Sequence, residues 1–279
     1  MITPGTLYIV PTPIGNLEDI TLRALSVLRG VDFILCEDTR HSLKLLTHFD
    51  IKKPLTSYHK FNERSACDGV VDRLAAGESG ALISDAGTPL ISDPGQILTS
   101  RLIEENLPYT VLPGANAFVP ALLLSGFSAE RFTFYGFLPK KSGKRAQEIA
   151  RLAEREETVI FYVSPHELRQ VLLEFDRQEP NRELALSKEL TKVHETTLRG
   201  SAREILSRLE EAPRGEYVLL MKGKDAALDA PVQELTQEAL MEMFARTLEE
   251  NPDKKEALKE LSKQTGIPKR ELYDKLMKK

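Results

Sequence analysis

Ala81-Leu82-Ile83-Ser84-Asp85-Ala86-Gly87-Thr88-Pro89-Leu90-Ile91-Ser92-Asp93-Pro94-Gly95 is the stretch from which the fold can be read. It opens on a short apolar run, Ala81 to Ile83, with the character of a buried strand. It then enters a loop of small residues carrying two prolines and two glycines. Beyond Gly95 the apolar residues Ile97, Leu98, Leu102 and Ile103 return with helical spacing. The local order is therefore strand, wide loop, helix. In open α/β sheets ligands bind beyond the carboxyl ends of the strands, in loops of this kind. Gly87 and Gly95 let backbone approach a ligand closely, and Pro89 and Pro94 stiffen the loop before anything binds. A plain strand-to-helix turn would be shorter, so a ligand loop is expected here.

Working outward, the same alternation repeats. Residues 7–10, 31–36, 55–59 and 109–112 have strand character, and helical patterns lie between them over 22–28, up to 49 and over 63–76. Asp19 or Thr21 is the expected cap of the first helix, and Gly30 its end. Strands alternating with helices imply βαβ units and a mainly parallel first sheet. Ser125-Gly126-Phe127-Ser128 has the composition of a linker. A second α/β domain follows. It has a strand over 132–137, a basic loop with Lys140, Lys141, Lys144 and Arg145, a helix over 146–155 and a strand over 159–163. Pro165 suits a first helical position after Ser164. Two β stretches, 184–190 and 193–198, precede a capping box at Ser201 and Glu204 and a last strand over 217–221. After Gly223 the texture turns helical, over 234–248 and 254–279, with Gly266-Ile267-Pro268 as a turn. The expected domains are residues 1–125, 126–225 and a helical tail, 226–279.

Composition sets bounds. With 279 residues the chain is long enough for two ordinary domains. A net charge of -4 gives no global basic signature, so any nucleic-acid surface must be a local patch. Cys36 and Cys67 are too few for a disulfide framework and form no CxxC pair, which fits a cytoplasmic setting. The first residues lack a basic stretch followed by a long apolar one, and no apolar run is long enough to span a bilayer, so neither a signal peptide nor a membrane partner is expected. His41, His48, His59, His166 and His194 show no metal-ligand spacing, and no metal is expected. A phosphate-binding P-loop and a GxSxG nucleophile elbow are both missing.

Glu37-Asp38-Thr39-Arg40 stands where the second strand delivers its carboxyl end. A carboxylate there, Glu37 or Asp38, can accept or orient a proton, and Arg40 can grip a phosphate in bidentate fashion. A solvated turn with a local ion pair would use the same residues. The basic loop at Lys140, Lys141, Lys144 and Arg145 is placed to bind RNA phosphates in an RNA enzyme.

Gly87-Thr88-Pro89 with Gly95 resembles the GDPxxxGxG loop of the tetrapyrrole methylase superfamily. Ser84 to Pro89 followed by Ile91-Ser92-Asp93-Pro94-Gly95 is closest to a branch that methylates ribosomal RNA. Ile20-Thr21-Leu22-Arg23-Ala24 is similar to the LTLRA of that branch. Pro113-Gly114-Ala115-Asn116-Ala117 resembles the superfamily's PGxSA loop. The glycine-rich first loop, GxGPGD in the superfamily, is replaced by Pro11-Thr12-Pro13-Ile14-Gly15-Asn16. The resemblance runs from about Gly5 to Gly223. It implies a two-domain tetrapyrrole-methylase-like α/β fold and S-adenosylmethionine as methyl donor, bound in a cleft. The residues it implies at the cofactor are Ile14, Asp85, Ala86, Gly87, Thr88, Ile91, Pro113, Gly114, Asn116, Ala117, Tyr162 and Val163. Glu37 matches an acid/base aspartate proposed in porphyrin-methylating relatives. Glu189 to Glu195 resembles the family's ELTK-x-xE segment, which makes Lys188, Glu189 and His194 candidates for the RNA or catalytic face. The implied activity is 2′-O-methylation of a cytidine ribose in 16S rRNA of the small ribosomal subunit, by a cytoplasmic homodimer. Methylation of a small tetrapyrrole precursor, or sensing of S-adenosylmethionine on the ribosome without catalysis, are the alternatives.

Overall fold

The computed structural model describes residues 2–224, 237–250, 253–265 and 269–277. Its first sheet is built from β1 (Leu7–Ile9), β2 (Phe33–Cys36), β3 (Leu55–Ser57), β4 (Gly80–Leu82) and β5 (Tyr109–Val111), in the order β3-β2-β4-β1-β5, and every pairing is parallel. The helices α1 (Leu22–Gly30), α2 (Thr39–His48), α3 (Glu63–Ala75) and α4 (Gln96–Glu104) connect these strands. Successive strand residues face opposite ways, and both faces are covered. Tyr8, Ile34, Cys36 and Ala81 pack with Ala24, Val27, Leu28 and Leu46. Leu7, Phe33, Leu35 and Leu82 pack with Cys67, Val70, Leu74, Leu98 and Leu102. Burial on both sides is why the central strands β1, β2 and β4 read as apolar runs, whereas β3 and β5 at the edges are only partly buried. Thr21 is the cap of α1, its side chain accepting the Ala24 N–H at 3.0 Å.

After α5 (Phe118–Ser125), Gly126 turns in the left-handed region at φ 76° and the second sheet begins. It runs β6-β7-β10-β8-β9, from β6 (Phe132–Phe137), β7 (Thr158–Val163), β8 (Leu184–Lys188), β9 (Thr196–Gly200) and β10 (Tyr217–Met221). Only β6 and β7 are parallel; the other pairs are antiparallel. Helices α6 (Ser142–Ala153), α7 (Pro165–Gln178) and α8 (Ala202–Arg208) cover one face, and the capping box of Ser201 and Glu204 starts α8. The other face packs on α5 and on Ile14. Both sheets belong to one compact unit, which ends at Lys222.

Two expectations need correction. Helix α6 begins at Ser142, so Lys144 and Arg145 are helical rather than part of a loop. Arg145 is only 4% exposed and donates to the Lys140 carbonyl, which removes it from any phosphate-binding surface. Strands β8 and β9 are also shorter than expected. Residues 189–195 form the connection between them, with Glu189 and Thr191 at positive φ.

A second unit carries α9 (Gln237–Glu250), α10 (Lys254–Thr265) and α11 (Lys269–Met277). Leu240, Phe244, Leu258, Leu261 and Leu272 form its own core. The turn expected at Gly266-Ile267-Pro268 lies outside the described residues.

Candidate active site

Three loops meet at the carboxyl ends of the first sheet. Gly87 and Thr12 exchange both backbone hydrogen bonds at 2.9 Å, and the Thr12 hydroxyl donates to the Ser84 carbonyl. The Thr88 hydroxyl donates to the Ala115 carbonyl at 2.8 Å, which ties the Gly87 loop to the 113–117 loop. Gly87 sits at φ 82°, where a side chain is strained, and a Cβ there would also press on Ile14 Cγ2 at 3.3 Å. Leu90 and Ser92 also hold positive φ, at 73° and 69°. Two side-chain-bearing residues in that region cost on the order of 1–2 kcal/mol each. The chain just beyond them, at the start of α4, is held by Glu63, whose Oε1 accepts the N–H groups of Gly95 at 2.8 Å and Ile97 at 3.0 Å.

These loops and the second sheet enclose a cavity of about 330 Å³, within the range of small-molecule sites. Ile14, Ala86, Gly87, Thr88, Ile91, Asn116, Ala117, Tyr162 and Val163 line it, nine of the twelve residues expected at the cofactor. Asp85, Pro113 and Gly114 do not. Asp85 accepts the Asp38 N–H at 3.3 Å and so links the exits of β2 and β4. Gly114 answers to packing, because a Cβ there would meet Pro11 Cβ at 2.6 Å. Asn116 Oδ1 takes the Val119 N–H at 3.0 Å and starts α5. The Tyr162 phenol is pushed up to about 12, by burial first and against the nearby N–H groups of Ala117 and Phe118. Its ring lies edge-on to Phe134 and Phe137.

Ser92, Asp93, Phe137, Ser164, Pro165, Leu190 and residues 215–218 complete the wall; Ser92, Asp93 and Leu190 fall inside the quoted motifs but are not among the residues expected at the cofactor. Their sequence signal is register. Strand β10 pairs Tyr217 with Val163 and Val218 with Tyr162, so a ligand beside Tyr162 meets β10 as well.

Ser92 and Asp93 also line a second, adjoining cavity of about 730 Å³, together with Glu37, Lys60, Arg64 and Arg101. Asp93 thus stands on the wall common to both. Its carboxyl is pushed up to about 6, by burial first, then by the charge of Glu37, with the Ser84 hydroxyl opposing. Burial, then Asp85, likewise raises Glu37, and His59 opposes. Among the described residues Glu37 and Arg40 form no ion pair. Arg40 is exposed in the first turn of α2 and lines neither cavity. Asp38 is the cap of α2. Its carboxylate accepts the N–H groups of Arg40 and His41, and the first of these leads in holding it below the usual carboxylate range.

Lys188, Glu189 and His194 line a separate hollow that shares only Gly215 and Tyr217 with the 330 Å³ cavity. Lys188 is paired with Glu210 at 2.7 Å. Glu189 accepts the Glu216 N–H at 2.9 Å and pairs with Lys192, which also reaches Glu216. Glu189 therefore shapes the cavity wall at Gly215 and Glu216 from behind. Lys140, Lys141 and Lys144 are exposed, beginning three residues after Phe137 on the cavity rim. No group of His, Cys, Asp or Glu among the described residues is arranged to hold a metal ion.

The model of the Tetrapyrrole (Corrin/Porphyrin) Methylases family matches residues 6–206. The chain is 40% identical over 273 residues to a protein of Halalkalibacterium halodurans named ribosomal RNA small subunit methyltransferase I, covering 97% of this chain and 94% of that one. Proteins of the same name from Bacillus subtilis and Synechocystis are 39% and 41% identical, with 97% and 96% of this chain covered and 93% and 96% of theirs. Among solved structures, uroporphyrin-III-C-methyltransferase from Thermus thermophilus superposes with a TM-score of 0.55 at 20% identity, over 78% of this chain and 94% of that one. Diphthine synthase gives 0.61 at 10% identity, over 78% and 90%. At such identities the structural likeness speaks to the fold.

Proposed function

The chain belongs to the tetrapyrrole methylase family, whose methyltransferases take their methyl group from S-adenosylmethionine, and we propose that it methylates the ribose 2′-hydroxyl of a cytidine in the 16S rRNA of the small ribosomal subunit. The observation that supports the substrate most strongly is the identity of about 40%, over nearly the whole chain, to proteins named for that RNA. When bound, S-adenosylmethionine supplies a methyl group already activated by its sulfonium.

The 330 Å³ cavity fits that cofactor in its chemistry. Gly87, at positive φ against Ile14, brings bare backbone to the cavity, and Ile14, Ile91, Ala117, Val163 and Leu190 offer apolar wall. In this reading Gly87, Thr88, Asn116 and Ala117 hold the methionine end, and Tyr162 and Val163 the adenosine side. Asp85, Pro113 and Gly114 act by fixing those loops. Residues 1–125 furnish the cofactor loops, residues 126–225 the opposite wall, and residues 226–279 a tail outside the chemistry.

The protein's own part in the reaction is positioning and proton handling. A ribose hydroxyl is a weak acid, so a carboxylate that accepts its proton helps the oxygen attack. Glu37 and Asp93 are the carboxylates available, and Asp93 stands nearer the cofactor because it lines both cavities. Arg40 and the exposed lysines Lys140, Lys141 and Lys144 meet RNA phosphates. We place the enzyme in the cytoplasm with its substrate; no described helix is long and apolar enough to cross a membrane. We also propose a homodimer. The edge strand β5 and α5 expose Tyr109, Val111, Val119 and Leu123, with Leu123 68% exposed, an apolar face that a second copy would cover.

The test is transfer of label from S-adenosylmethionine to small subunits lacking the modification, beside naked 16S rRNA and a porphyrin precursor. Transfer to subunits or to the RNA supports the reading, and transfer to the porphyrin alone refutes it.

A further inference from the structure

Phe61 is 96% exposed, a phenyl ring offered almost entirely to solvent. Its position is fixed. The turn that carries it is closed by hydrogen bonds between His59 and Asn62, and Asn62 Nδ2 donates to the Ser57 carbonyl at 2.9 Å. Lys60 precedes it and Arg64 follows three residues later. Both are exposed, and neither enters an ion pair among the described residues. Lys60 and Arg64 line the 730 Å³ cavity that adjoins the cofactor cavity at Ser92 and Asp93.

That cavity carries charges of both signs. Glu63 is taken up by the Gly95 and Ile97 N–H groups, and Glu104 lies within ion-pairing distance of Arg101. Asp93 stands on the common wall, Glu37 lines the same cavity, Lys60 and Arg64 stand at the start of α3, and Asp68 lies one turn beyond Arg64. A ligand suited to this layout has a flat apolar face, anionic groups beside it and hydroxyls toward the cofactor. A nucleotide within an RNA strand has all three, since bases stack on aromatic side chains and phosphates seek cations.

We propose that the 730 Å³ cavity seats the acceptor nucleotide, with Phe61 stacking on a base of the strand and Lys60 and Arg64 taking the phosphates beside it. The proposal rests on the reading of the chain as an RNA methyltransferase. It adds the place where the RNA enters.

Steady-state methyl transfer to unmodified small subunits tests it in the full-length chain. Phe61→Ala should raise KM for subunits about ten- to a hundredfold, the effect of losing one stacked base. Phe61→Trp should restore KM to within about threefold, and Phe61→Leu, apolar but not flat, should not. Lys60→Ala with Arg64→Ala should make log KM less steep in log salt by about 1.4 to 1.8, for two phosphates. S-adenosylmethionine affinity by calorimetry should stay unchanged in every variant. Wild-type KM in Phe61→Ala and Phe61→Leu would overturn the proposal. So would a Phe61→Ala chain that changes oligomeric state and keeps its KM, since Phe61 would then serve a protein contact. If the wild type binds S-adenosylmethionine but methylates no RNA, the underlying reading falls first and this site with it.

Discussion

Glu63 should carry the geometry of both cavities, although it belongs to neither reaction partner. Its side chain is 7% exposed, and both donors, the Gly95 and Ile97 N–H groups, converge on the same oxygen, Oε1. A hydrogen bond to a charged acceptor contributes roughly 1.5–3 kcal/mol, and an orphaned buried N–H costs a similar amount. Glu63→Ala should therefore destabilise by about 3–5 kcal/mol, a fall in Tm of about 10 °C for a unit of this size. Glu63→Gln keeps an oxygen where both donors point and loses only the charge, so about 1–2 kcal/mol is expected. The segment released by the alanine variant carries Ser92 and Asp93 of the 330 Å³ cavity proposed for the cofactor. Calorimetry should show S-adenosylmethionine bound more than about tenfold more weakly by Glu63→Ala and nearly normally by Glu63→Gln. An alanine variant that melts within about 2 °C of wild type, or binds with wild-type affinity, would refute this account of the loop.

Three further outcomes follow from the same geometry. Gly87→Val places a branched side chain at φ 82° against Ile14, which should cost roughly 2 kcal/mol and abolish most cofactor binding; unchanged affinity would take this corner out of the site. Asp93 rises from 3.8 to about 6 on folding, so the folded state holds its proton more tightly. Stability from that proton is full below about pH 4 and lost as pH rises through about 6. Asp93→Asn should accordingly gain on wild type between pH 4 and pH 8, by on the order of 1–2 kcal/mol after solvent screening of a half-buried carboxyl. If Asp93 takes the hydroxyl proton, wild-type kcat/KM should rise through an inflection near pH 6 that the variant lacks. Changing Lys140, Lys141 and Lys144 together to Ala should flatten the salt dependence of RNA binding and leave Tm in place, whereas Arg145→Ala should lower Tm and leave the salt slope alone.

The centre of the first sheet was legible because β1, β2 and β4 are buried on both faces and so are nearly continuous in apolar residues, as Phe33 to Cys36 and Ala81 to Ile83 show. The Gly87 loop was legible because a corner at positive φ favours glycine. Asp93 escaped notice because its place depends on Leu90 and Ser92 adopting a left-handed conformation that neither residue advertises. The 189–195 turn was hidden for the same reason, since Glu189 and Thr191 stand where glycine or asparagine would have marked it. Arg145 was mistaken for a loop cation because a lysine-rich stretch reads as solvated. Its side chain is buried on α6, where its guanidinium donates to the Lys140 carbonyl instead of meeting solvent. The wall from Gly215 to Val218 follows from antiparallel register between β10 and β7, a long-range pairing that local pattern does not encode.

The central claim is that a ribose oxygen receives the methyl group. Small subunits lacking the modification, treated with the wild-type chain and labelled S-adenosylmethionine, should yield RNA whose label survives alkaline hydrolysis in one alkali-resistant dinucleotide, because a methylated 2′-oxygen cannot attack its neighbouring phosphate. Mass spectrometry of the digested nucleosides should identify that residue as 2′-O-methylcytidine. Label recovered on a nucleobase, in an alkali-sensitive mononucleotide, would contradict the account.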